Sequence, residues 1–324
     1  MIRSTQTPSL HVRPQTTRAL LAALAGLTGT GALQAAEIIK ADNTDALNVT
    51  SSWSGGTAPG ANDIAVWNST VTSANTVLLG ANLSLGGLKI INPGGTVTIS
   101  PGSTLTLGTG GIDMGTATQG LSIASLASLT NTAQSWNAGN QALSITSLTR
   151  GSGSTVNMIT SGGGSINIAS GTASAALGSY ATLNSSHYAA LDASKNVVAA
   201  TYSDYALGGN LSGTYSGILN VTGTTAGATQ AWRQSNSFTV SAGVRFGINN
   251  SQNTKWTVDT SSAGRLLTTP SILVGSAVTQ DIEFNGSGGV RPSTSGGELV
   301  LQNFGTGKLV FNTVIAITAR HLLS

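Results

Sequence analysis

Two apolar ladders run in step through residues 90–168. One is Ile99, Ile123, Ile145 and Ile168, with gaps of 24, 22 and 23 residues. The other is Ile90, Met114, Trp136 and Met158, with gaps of 24, 22 and 22. The ladders stay nine residues apart in three coils and ten in the fourth. A unit of this length is too small to bury its own core and must stack on its neighbours. A β-propeller needs about 40–45 residues per blade. The spacing instead predicts an all-β chain, a right-handed parallel β-helix (a single-stranded solenoid) with rungs of about 22–27 residues.

The runs between the ladder positions support strands. Gly95-Thr96-Val97-Thr98-Ile99, Ser103-Thr104-Leu105-Thr106-Leu107 and Ser165-Ile166-Asn167-Ile168 alternate apolar and small polar residues with period two, the pattern of a strand with one buried face. A second register follows near the C-terminus, with Ile248, Leu273 and Leu299 as one series and Val258, Phe284 and Phe311 as the other. At about 4.8 Å per rung, roughly a dozen coils make a rod on the order of 50–60 Å long.

The first 36 residues read as a signal peptide. Arg3, Arg13 and Arg18 precede the apolar run Ala19 to Leu27, and small residues offer cleavage near Ala35 or Ala36. That apolar run is too short for a permanent membrane span, and no later stretch is long enough for a transmembrane helix. Three of the 14 basic residues lie in this leader and all 11 acids lie beyond it, so the mature chain is formally neutral. The calculated pI of 9.4 reflects the leader, and no basic cluster points to nucleic acid. The absence of cysteine removes disulfides and thiolate metal sites. The remaining organisation is an N-terminal cap at 37–80, coils at 81–169, irregular tyrosine-containing coils or lateral loops at 170–235, coils at 236–316 and a tail at 317–324.

Few residues are arranged for chemistry. Glycoside hydrolysis generally needs two carboxylates about 5–10 Å apart. Asp281 and Glu283 are the best local pair, but their alternation with Ile282 and Phe284 reads as a solvated strand face. No Gly-x-Ser-x-Gly elbow exists, His187 is the one histidine outside the two terminal segments, and a zinc site needs more ligands than that. Gly162-Gly163-Gly164 lacks the Lys-Ser/Thr of a phosphate loop and reads as a turn. No catalytic residue, metal or cofactor is expected. The aromatic residues are the candidate contacts for a glycan or partner: Tyr188, Tyr202 and Tyr205 in the irregular region, and Trp53 and Trp67 in the cap.

The Trp-x-Gly-Gly…Pro…Asp-x-Ala cap (53–65) and the Leu-Gly-Gly-Leu-Lys-Ile (85–90) and Gly-Gly-Ile-Asp-Met (110–114) steps carry a resemblance. So do Gln134-Ser135-Trp136-Asn137, Tyr188-Ala189-Ala190-Leu191-Asp192 and Val244-Arg245-Phe246. Together, over roughly residues 45–316, they resemble secreted bacterial proteins with autotransporter-associated β-strand repeats. The resemblance implies a passenger-like β-helix, secreted or held at the bacterial cell surface or outer membrane, with no catalytic residues to carry over. The chain reads as a piece of such a protein without its C-terminal barrel or sorting signal. The expected function is structural or adhesive, with glycans, cell-surface or matrix components as partners and the oligomeric state left open. The alternatives are a β-helix polysaccharide lyase or glycosidase, or a glycan-binding module.

Overall fold

The computed structural model describes residues 35–130, 132–206, 210–222, 231–249, 255–260, 266–294, 297–316 and 322–323. It is all-β, with about ten stacked turns forming a β-solenoid and one short 3-10 turn at Thr50–Ser52. The turns fall into two consecutive stacks.

In the first stack, each complete coil visits three faces in turn. On one face Val77, Ile99, Ile123, Ile145 and Ile168 lie level across parallel strands, so the first sequence ladder stacks residue on residue. All five are fully buried. Each such side chain contributes about 1.5–3 kcal/mol by leaving water. A second face carries Leu85, Leu107 and Leu129 inward, and Arg150 takes the same level on the last rung.

The third face corrects the other ladder. Leu88, Ile112, Trp136, Met158 and Leu183 form the column, so Trp136 lies over Ile112 and not over Met114. The slip is two residues. Strand side chains alternate with period two, so such a slip keeps every apolar residue on its buried side and leaves no trace in the hydrophobic pattern. The corners explain the Gly-Gly pairs. Gly111 has a φ of 55°, and a Cβ there would meet the Ser135 carbonyl oxygen at 2.2 Å. The same addition at Gly110 would meet the Gly86 carbonyl oxygen at 2.8 Å. Coils approach too closely at this edge for any side chain.

The region expected as lateral loops ends the first stack and starts the second. Ala181–Leu183 still stacks in parallel. His187–Leu191 then reverses against it, and Val197–Ala199 reverses again. The parallel order resumes at Ser203–Ala206 and runs through Ile218–Thr222, Gly243–Phe246, Ser271–Val274 and Leu299–Asn303.

In the second stack, Val258, Phe284 and Phe311 lie level as expected, with the two phenyl rings stacked at 4.8 Å. The series Ile248, Leu273, Leu299 does not form. Ile248 is exposed, and the inward column is Leu219, Val244, Ile272 and Leu301. Leu273 stands instead in an outward column with Asn220, Arg245 and Gln302, yet it is fully buried. The reversed strands cover that outer face, with Tyr188, Ala190 and Ala200 packed in one cluster with Leu273.

Candidate functional site

Three of the five candidate contact residues are interior. Trp53 and Trp67 are buried under the first coil with their rings edge-on at 5.9 Å. Their indole N–H groups donate to the Leu47 carbonyl and to Asn75 Oδ1, each at 2.9 Å. Beside them the fully buried Lys40 gives its ammonium protons to the Ala41 and Asn43 carbonyls and Asn43 Oδ1. The cap expectation of a sugar-stacking surface at Trp53 and Trp67 is therefore corrected: no ring face is open. Tyr188 is corrected in the same way, with 1% of its surface accessible.

Tyr188 is the centre of the joint between the stacks. Its hydroxyl donates to the Val244 carbonyl at 3.2 Å and pairs with Ser271 Oγ at 2.8 Å, and both partners belong to the second stack. Burial pushes its phenol pKa well above the ordinary value. The ring packs with Ala190, Ala200, Ile218 and Leu273 in a small apolar cluster of its own. Tyr202 and Tyr205 are half-buried. Tyr202 receives the Tyr188 backbone N–H at 3.0 Å, lies 3.2 Å from His187 Nδ1 and stacks against that imidazole. Tyr205 packs on the core of the second stack.

Arg245 ties the joint together. Its Nε donates to the Ser186 carbonyl at 2.7 Å and a terminal nitrogen to Asn220 Oδ1 at 2.6 Å, while the guanidinium lies 4.9 Å from the Tyr202 ring centre. Asn220 in turn donates to Asp204. A second clamp lies further along. Glu298 pairs with Arg150 at 2.5 Å and accepts the Gly153 N–H at 2.7 Å. Gln302 adds a bond to the Ser179 carbonyl. Arg150 also lies over Tyr180, 4.9 Å from its ring centre.

The backbone here is strained. Among the described residues, the four non-glycine residues with positive φ are Ser174, Asn184, Ser185 and Lys195, at 50–64°. All lie in the turns of this joint, where other residues hold them. Asn157 Oδ1 accepts the Ser185 N–H, and Asp192 accepts the N–H groups of Ser194 and Asn196. Those bonds hold the Asp192 carboxyl below its usual range. An apolar cleft of about 510 Å³ opens between the reversed strands and the second stack, lined by Ala176, Ala190, Leu191, Val198 and Ile218 with Asp192 at its rim.

The acids singled out from sequence are engaged singly. Glu283 pairs with Lys255 at 2.8 Å, which holds its carboxyl below the usual range, and Asp281 Oδ1 accepts the Lys308 N–H at 2.7 Å. Among the described residues, no three His, Asp or Glu side chains converge as a metal site would need. His11 and His321 lie outside the described residues, as do residues 1–34 of the leader and most of the tail. No described helix is long and apolar enough to cross a membrane. Sequence reasoning missed Arg150, Arg245 and Glu298. One signal was present for the covered face: Leu273 is a leucine flanked by the apolar pair Ile272 and Val274, so one side of that strand had to be hidden by something outside its own coil.

Comparison with protein-family models, with curated proteins and with solved structures gives no match.

Proposed function

We propose that this chain is an exported structural or adhesive element, a passenger-like β-solenoid that displays its turns at a bacterial cell surface or outside the cell. The reading rests on one observation: on two faces of the first stack the outward columns are small and uncharged over an apolar interior. Thr76, Thr98, Ser122, Ser144 and Asn167 run down one face, and Ser84, Thr106, Ser128 and Thr149 down another. Such a stack is held by ladder hydrogen bonds along its length and by nearest-neighbour burial, which suits a spacer that must hold its shape without a partner. The signal-like leader and the resemblance of the Gly-Gly steps to autotransporter-associated repeats support export. The test is to express the full chain with a C-terminal tag in a bacterium and treat intact cells with protease. Loss of the tag, with a mature N-terminus near residue 36, is the expected result. An intact chain that keeps its leader inside the cell would overturn the proposal.

A further inference from the structure

We propose that the joint between the stacks is an acid-sensitive hinge, in which protonation of the His187 imidazole releases the reversed strands from the second stack. The inference concerns the fold itself and does not depend on where the chain is displayed.

The geometry carries it. Tyr202 Oη accepts the Tyr188 N–H, so its own proton is free to donate to His187 Nδ1 at 3.2 Å. In the neutral tautomer with its proton on Nε2, Nδ1 is the acceptor of that bond. A protonated ring turns Nδ1 into a donor, and two N–H groups then point at one phenolic oxygen whose proton has lost its acceptor. The groups facing His187 are Tyr202, from the segment leading into the second stack, and Arg245, from Gly243–Phe246. Arg245 itself faces Tyr188, Tyr202 and Asp204, the last through Asn220. A new positive charge at His187 therefore meets an existing one, and the single nearby carboxylate is already engaged by Asn220. Tyr188, the residue that anchors the joint, is the next residue in the chain and shares the Tyr202 hydroxyl, so disturbing one bond disturbs the other.

Burial, and then Arg245, hold the imidazole below its ordinary pKa. The unfolded chain takes up the proton more readily than the folded joint. The stabilising contribution is complete above the ordinary imidazole value of about 6.5 and is lost as the pH falls below it.

The experiment is amide hydrogen exchange on the full chain at about pH 7.5 and about pH 5.0, corrected for the chemical rate. Residues 187–200 and 243–246 should exchange faster at the lower pH by about three- to tenfold, since one linked proton changes an equilibrium by at most about tenfold per pH unit. The Ile99, Ile123 and Ile145 coils should not change. In His187→Gln the acid response of the joint should vanish. Equal protection at both pH values in the native chain, or an undiminished response in His187→Gln, would overturn the proposal. An NMR titration of the native chain is a second readout free of the substitution, and a His187 pKa at or above the ordinary value also overturns it.

Discussion

The two stacks solve one packing problem with different side chains. The first is narrow: successive rungs of its isoleucine column are 22 to 24 residues apart, and its interior is mainly aliphatic. In the second, level residues are 25 to 29 apart on the strands that carry Val244 and Phe246, and 26 to 27 apart along the column Val258, Phe284 and Phe311. Its interior is built around Phe246, Trp256, Phe284 and Phe311. Longer rungs enclose a wider cross-section, and a protein interior must fill what it encloses. Rung length and interior residue volume rise together.

The comparison is broken most severely by emptying each column at its middle. Phe284→Ala removes a ring that touches both Phe246 and Phe311 and should cost about 3–5 kcal/mol in denaturant unfolding, against about 2–5 kcal/mol for Ile123→Ala. Exchange should rise first in the coils next to each substitution, because each rung depends on its neighbours. If Phe284→Ala costs no more than an exposed-site change, the second interior is not held by its rings.

Two of the buried tryptophans, one from each stack, sharpen the contrast. Trp136 in the first stack donates to Gln134 Oε1 at 3.1 Å, and that glutamine is itself buried and bonded to the Leu107 carbonyl. Trp136→Phe strands the glutamine oxygen and should cost about 1–3 kcal/mol. Between the stacks, Glu298→Gln should cost about 1 kcal/mol, since the Arg150 pair is still partly exposed while the Gly153 contact is charge-assisted. Raised exchange confined to residues 150–154 and 297–303 would show that it acts as a clamp. Smallest of all is Trp256→Phe. The Trp256 indole N–H is buried without a hydrogen-bond partner, so removing it offsets the lost volume and the melting temperature should barely move. A large drop there would mean that packing against Phe246 outweighs the unmet donor.

The isoleucine ladder was legible because identical β-branched residues recur at near-constant spacing and nothing else in the chain competes for that register. Trp136 was assigned two residues out of step because alternation fixes the face of a side chain but not its level. Ile248, Leu273 and Leu299 failed for a related reason: spacing alone does not separate an inward leucine from one covered by another part of the chain. Of the joint, only the apolar run Ile272-Leu273-Val274 left a trace in the sequence. Tyr188 meets Ser271 across 83 residues and Arg150 meets Glu298 across 148, and no local pattern encodes a contact at that separation. The surface role expected of Tyr188, Trp53 and Trp67 followed from their setting among turn residues. Their partners, a serine hydroxyl, a main-chain carbonyl and a buried asparagine, are too common to be noticed in sequence.

The reversed strands also decide how the first stack ends. A parallel stack is a template: its last rung offers a row of unpaired backbone groups to whatever strand arrives, including one from another molecule. Here the chain turns back over the isoleucine face, the Ile168 N–H donates to the Lys195 carbonyl, and Asn167 bridges to Asn196 in antiparallel sense. An incoming strand aligned with the growth direction meets a backbone running the wrong way. The turn at 192–196 covers that edge with the same length of chain that leads into the second stack.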